Sequence, residues 1–120
     1  MVLPKITKPV QEVKKGWGKE TWIHNDEDYC GKLLYLTKDK KCSLHYHEKK
    51  KETFYILKGK VKMELYEGFK NKEKFEMNEG DVLVLLQGTL HQFTGIEDSI
   101  ILEISTQHFD SDSIRVSQGD

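Results

Sequence analysis

The sequence predicts an all-β domain, a small antiparallel barrel or sandwich with few or no helices. Three observations carry this. Turn signals recur every eight to twelve residues or so, the stretches between them have strand length, and no segment spaces its apolar residues as an amphipathic helix does. At 120 residues the chain fits a single domain spanning 1–120, long enough to bury a core without metal or disulfide staples.

Residues 1–16 read as an N-terminal arm. The first strand covers 31–37, and the charged turn Lys38, Asp39, Lys40, Lys41 leads into a second over 42–47. Glu48 and the three lysines Lys49, Lys50 and Lys51 suit a solvated turn before a strand over 53–57, which stops at Lys58 and Gly59. Over 60–66, Val61, Met63 and Leu65 alternate with Lys60, Lys62 and Glu64, the pattern of a strand with one wet face. A polar turn around Gly68 spans 67–74, a brief strand 75–77, and Asn78, Glu79 and Gly80 make the next turn. Residues 82–86 are apolar throughout, which predicts burial on both faces. After a turn at 87–90, strands over 92–94 and 100–105 complete the series, and 107–120 is a polar tail. Arm and tail are both segments that order against a partner subunit.

Nineteen basic against twenty acidic residues leave a net charge of −1, so no overall field favours nucleic acid or an anionic membrane. The two cysteines, Cys30 and Cys42, are too few for a disulfide framework and are expected as free thiols in a reducing compartment. No apolar stretch reaches spanning length and residues 1–13 lack a signal-peptide core, which together predict a cytoplasmic protein.

His45, Tyr46, His47 and Glu52, then Gly59, then His91 behind Gly80, form the pattern that random composition would rarely produce. Side chains alternate along a strand, so His45 and His47 point the same way and reach one ion. Glu52 returns a carboxylate after the lysine turn, and His91 enters from another strand. By itself a His-x-His pair is more often a surface or packing feature. With Glu52 and His91 at fitting places it becomes a ligand set for one divalent ion, and these donors suit Zn, Mn, Ni, Co or Fe alike. His24 and His108 fall outside the pattern and read as ordinary polar residues.

These residues resemble the first motif of the cupin superfamily, and Gly80, Asp81, Gly88 and His91 resemble its second, with Leu86 where proline is usual and Gly95 where asparagine is usual. The resemblance implies a cupin fold, the double-stranded β-helix or jelly-roll barrel, and a homodimer paired through outer sheet and arm. Within the superfamily, residues 15–116 are similar to the small isomerase domain of type II mannose-6-phosphate isomerases. That likeness rests on Trp17 and Gly18, Gly31 and Lys32, the run Ser43 to His47, Leu102 to Ile104, and Asp112 to Arg115. It implies metal-dependent isomerisation of a sugar or sugar phosphate, with a small-molecule carbohydrate as the partner. Other readings of the same ligands are a metal-dependent dioxygenase, a nucleotide-sugar epimerase, and a sugar-binding module without turnover.

With Glu52 committed to the ion, another group must carry a proton, and Glu103 is the first candidate. A carboxylate between Leu102 and Ile104 in an apolar strand is costly unless used or paired; the alternative is that alternation turns it outward. Lys32, matching a family lysine, is a cation for a substrate phosphate or hydroxyl, against a plain strand lysine that snorkels. Arg115 is a bidentate phosphate clamp or a solvated tail residue. Trp17, Trp22, Tyr46 and Phe93 either form a platform for a sugar ring or belong to the core.

Overall fold

Two antiparallel sheets face each other in the computed structural model of the protein, which describes residues 2–68 and 71–120. The six-stranded sheet runs β1 (Gln11–Lys15), β2 (Gly18–Asn25), β3 (Cys30–Leu36), β10 (Ser99–Ser105), β5 (Glu52–Lys58) and β8 (Val82–Leu85). The five-stranded sheet runs β11 (Ile114–Ser117), β4 (Leu44–Tyr46), β9 (Leu90–Gly95), β6 (Lys60–Glu67) and β7 (Asn71–Asn78). A short 3-10 turn, Asp110–Asp112, is the single helical element among the described residues. The all-β jelly roll expected from the sequence is the fold observed.

Alternation sorts each strand into an inner and an outer face. In β3, Cys30, Lys32, Leu34 and Leu36 are buried while the residues between them are half-buried. Across the gap these meet Val61, Met63 and Phe93 of the other sheet, and with Phe54, Ile56, Met77, Leu85 and Ile101 they fill one end of the sandwich. Each such side chain contributes about 1.5–3 kcal/mol when fully buried. Trp17 closes this core edge-on against Phe93, ring centroids 5.6 Å apart. The opposite end has polar walls, and the cavity opens there.

The turn from β5 to β6 hinges on Gly59 at φ +90°, a left-handed conformation in which a Cβ would collide with Ser99 Oγ and the Asp98 carbonyl. It fixes the register of β5, and so the height at which Glu52 starts that strand.

Four expectations need correction. Residues 11–15 belong to a strand rather than a free arm, and 18–25 form a second strand whose polar composition, Gly-Lys-Glu-Thr-Trp-Ile-His-Asn, concealed it. The turn expected over 67–74 is shorter, because β6 runs to Glu67 and β7 starts at Asn71; Phe69 and Lys70 lie outside the described residues. The apolar run 82–86 is not buried on both faces. Among the described residues it forms an edge strand paired only with β5 and covered by no outer layer, so Leu85 turns inward while Val82 and Val84 stay 60% and 52% exposed. The polar tail is also structured: β11 pairs with β4, matching Ile114 to Tyr46 and Arg115 to His45.

Candidate metal centre

Register brings the histidines together. Arg115 pairs with His45, His45 with His91, and His91 with Leu65, so these four side chains form one row on the inner face of the five-stranded sheet. His47 follows β4 on the same face as His45. The ring centroids of His45 and His91 are 4.4 Å apart, those of His45 and His47 5.0 Å.

Each imidazole is oriented by a backbone carbonyl. His45 Nδ1 donates to the Ser43 carbonyl at 2.8 Å, His47 Nδ1 to the Asp112 carbonyl at 3.0 Å, and His91 Nδ1 to the Thr89 carbonyl at 2.9 Å. A carbonyl only accepts, so the proton of each ring sits on Nδ1 and each Nε2 keeps its lone pair. One ligand atom from each of the three rings lies within 4.8 Å of the others, and Nε2 of His91, fully buried, has no hydrogen-bond partner. Glu52 Oε2 lies 3.4 Å from His47 Nε2 and 3.5 Å from His91 Nε2. Three imidazole nitrogens within 4.8 Å of one another, one of them an orphan in the interior, with a carboxylate oxygen close to two of them, fit a divalent cation. Burial holds His45 and His47 down to about 3 and His91 to about 4, which keeps the rings neutral, as ligands must be.

The facing wall belongs to the six-stranded sheet. One of its rows reads Trp22, Lys32, Glu103, Phe54, and the next reads Cys30, Ser105, Glu52. Glu103 therefore turns inward and is 4% exposed, while Ile104 beside it is 54% exposed outside. The outward alternative for Glu103 is excluded: this strand turns its charge inward, on the same face as the core residue Ile101, while Leu102 and Ile104 take the other face. Lys50 neutralises it. Its ammonium lies 3.1 Å from Glu103 Oε2, 3.5 Å from Glu52 Oε1 and 3.1 Å from His108 Nδ1. Burial pushes Lys50 down, but Glu103 and Glu52 outweigh it and hold the ammonium above its usual value. Burial likewise raises Glu103, yet Lys50 and Lys32 overcome this and hold it below the usual carboxylate range, while burial and the charge of Glu103 raise Glu52.

Two further expectations fall here. Lys50 is not part of a solvated turn, being 3% exposed at the centre of the acidic cluster. His108 is no ordinary polar residue, since it lines the same cavity and joins Lys50 to Asp110, its Nε2 3.0 Å from Asp110 Oδ1. His24 does fit that reading, pairing with Asp26 at 2.8 Å outside the cavity. A sequence signal for Lys50 existed: it sits two residues before Glu52, the spacing that puts side chains on one face. Nothing local marks His108, and Asp112 stands out only as the start of the segment Asp112 to Arg115 that carries part of the family likeness.

The cavity encloses about 870 Å³, ample for a small ligand. Lys32 lines it, 2% exposed, with its ammonium 3.4 Å from Glu20 Oε1 and 4.1 Å from the Trp22 ring centre. Arg115 lines it from the other sheet, beside His45. Trp17, Trp22 and Phe93 also contribute, Trp17 and Phe93 chiefly as core; Tyr46 falls on the opposite face of β4 and is not among the lining residues. Cys30 and Cys42 are free and buried, and burial pushes the Cys42 thiol up to about 12, leaving it inert.

A jelly roll with His-x-His, Glu and a distant His in its mouth defines a class of small β-barrel that presents one metal-ligand set to a cavity. The family model described as "Cupin domain" matches residues 33–105, more than half of the chain, and the protein belongs to that family. Among solved structures, KdgF from Halomonas sp. aligns with a TM-score of 0.67 and 22% identity over 78% of this chain and 82% of its own. The capsular polysaccharide assembling protein CapF from Staphylococcus aureus gives 0.79 and 16% over 92% of this chain, and oxalate decarboxylase from Bacillus subtilis 0.76 and 14% over 93%. The chain spans only 35% and 34% of these last two, and at such identities the likeness is one of fold. No curated protein sequence matches. No helix among the described residues is long and apolar enough to cross a membrane.

Proposed function

We propose that the protein is a metal-dependent cupin that isomerises a sugar or sugar phosphate, as its likeness to the mannose-6-phosphate isomerase domain implies. The observation that carries this reading is the set of three Nε2 lone pairs converging beside Glu52 in a cavity whose opposite wall holds a charged Glu103. His45, His47, His91 and Glu52 would hold the ion, which when bound polarises a carbonyl and orients adjacent oxygens. Glu103 is the proton carrier between neighbouring carbons. Lys50 and Ser105 both donate to its Oε2, at 3.1 Å each, which keeps it ionised and fixed in place. Lys32 and Arg115 offer cations on two sides of the ligand. Lys32 keeps N–H donors beyond the one given to Glu20, and Arg115 suits a phosphate or carboxylate at the mouth. Trp22, half-buried beside Lys32, offers a face for the sugar ring, with Trp17 and Phe93 behind it. The similarity of fold to CapF, a capsular polysaccharide assembling protein, supports a carbohydrate ligand.

The protein acts as a homodimer in this reading. Val82, Val84, Leu57 and Ile104 are exposed apolar residues of the six-stranded sheet, and Val2, Leu3 and Ile6 are exposed in the segment before β1, which supports pairing of two copies there. Two free, buried thiols support a reducing, cytoplasmic setting.

The test starts from protein purified without added metal, analysed for elements beside a variant carrying His45→Ala and His47→Ala. About one divalent ion per chain, lost in the variant, is expected, followed by interconversion of aldose and ketose phosphates that Glu103→Gln abolishes while retaining metal. No metal even after reconstitution would overturn the reading. Iron or nickel with dioxygen uptake and no isomerisation would replace it with an oxygenase.

A further inference from the structure

The loop between His47 and Glu52 carries two ligands at its ends and Lys50 within it, yet its own four residues form no strand pairs. Its backbone is held from outside. Asp112, 5% exposed in the C-terminal 3-10 turn, accepts the N–H of Glu48 on Oδ1 at 2.9 Å, that of Lys49 on both oxygens at 3.0 and 3.2 Å, and that of Lys50 on Oδ2 at 3.0 Å. The main chain of the same residue acts on the ligand itself, its carbonyl accepting His47 Nδ1–H at 3.0 Å. One residue thus sets the tautomer of His47, the path of the loop that follows, and through Lys50 the placement of Glu52 and Glu103.

The turn is itself anchored away from the site. Asn25 Nδ2 donates to the His108 carbonyl at 3.1 Å, and Asn25 Oδ1 accepts the His108 N–H at 2.8 Å, tying the segment to the end of β2. A buried carboxylate with its oxygens on three consecutive amides is a rigid link between this anchor and the ligand loop. Partners of this kind, which orient a ligand without touching the ion, govern metal affinity by about 10- to 100-fold.

We propose that Asp112 is a positioning residue, through which the C-terminal turn holds His47 and the loop of residues 48–50 in the arrangement that binds the ion. The ion itself belongs to the proposed function, so the inference rests on that reading, but the loop clamp is testable without metal. Asp112→Asn keeps the shape while turning an NH₂ donor toward backbone donors. Amide hydrogen exchange on metal-free protein is expected to quicken at least tenfold at Glu48, Lys49 and Lys50. Chelator competition is expected to show affinity for Co²⁺ and Zn²⁺ falling at least tenfold, with a changed visible spectrum of the Co²⁺ form. Ser111→Ala, on the exposed side of the same turn, should match the wild type in every readout. Should Asp112→Asn fail to fold by circular dichroism, Asp112→Glu, which keeps the charge but displaces the oxygens, is expected to lose at least threefold in affinity. Metal affinity within twofold of the wild type in the folded variant overturns the proposal, even if exchange quickens, because Asp112 would then serve the loop alone. A wild type that binds neither ion overturns the metal reading instead, and the exchange measurement still decides the clamp.

Discussion

Replacing Lys50 with methionine should expose how the acidic wall is held together. The ammonium is 2% exposed and lies 3.1 Å from Glu103 Oε2 and 3.5 Å from Glu52 Oε1. At 3.1 Å and an effective dielectric of about 20, one such attraction is worth about 5 kcal/mol before desolvation. Breaking a buried pair by removing one partner costs about 3–5 kcal/mol, because the remaining charge is stranded. For a chain of this size that is about 10–20 °C in Tm and a large share of total stability. The assay is urea unfolding of metal-free protein followed by tryptophan fluorescence, in a cycle of Lys50→Met, Glu103→Gln and the double variant. The double variant strands no charge on residue 103 and leaves only Glu52, raised by burial, without the lysine, so it should recover much of the loss, with a coupling of about 2 kcal/mol or more. A single-variant cost under about 1 kcal/mol, or a coupling within about 0.5 kcal/mol of zero, would refute the reasoning by showing that the cluster is hydrated rather than buried.

Three more measurements bear on the site. Burial lowers the three ligand histidines from 6.5 to about 3, 3 and 4, so between pH 4.5 and 6.5 the unfolded chain binds their protons and the native chain does not; Glu52, raised, opposes with one. Stability of the metal-free protein should therefore rise with pH across that window, the histidine contribution being fully present above 6.5 and lost as pH falls, while Glu52 lowers stability as pH rises toward about 8; a flat or falling profile between pH 4.5 and 6.5 in urea titrations would count against neutral buried rings. Arg115→Ala should weaken binding of a sugar phosphate by tenfold or more in calorimetry while leaving that of the neutral sugar unchanged, and equal effects on both would remove the clamp. Sedimentation should give twice the mass of one chain, with Val84→Lys shifting the equilibrium toward monomer; a wild-type monomer at all concentrations would sink the dimer.

The residues whose placement was legible in the sequence are those whose position follows from spacing. His45 and His47 share a face because strands alternate, and Glu52 and His91 join them through turns that glycine and polar residues mark. What stayed hidden depends on register between distant segments. Glu103 was ambiguous because alternation fixes that it opposes Leu102 and Ile104 but not which side faces the core. The rule that the apolar face turns inward does not decide it, because Ile101 shares the inner face with Glu103 while Ile104 is exposed outside. Lys50 was lost among lysines, since composition alone cannot distinguish a solvated charge from one that meets two carboxylates. The run 82–86 misled in the opposite sense: five apolar residues in a row read as interior, and only the sheet order shows that nothing covers one side. The segment from His108 to Asp112 carries no periodicity, and its role comes wholly from long-range contacts to residues 47–50.

The candidate ligands are divided between the two sheets. His45 and His91 belong to one sheet, Glu52 to the other, and His47 leads from the first toward the second. An ion held by all of them would be a rivet through both leaves of the sandwich, and the distance between the leaves is set by Met63, Ile101 and Ile56 at the far end. Shaving a methylene from that packing would then be felt as a looser grip on the metal, and stripping the metal as a softer core. In such a molecule, retention of the ion and resistance to unfolding are two readings of one spacing.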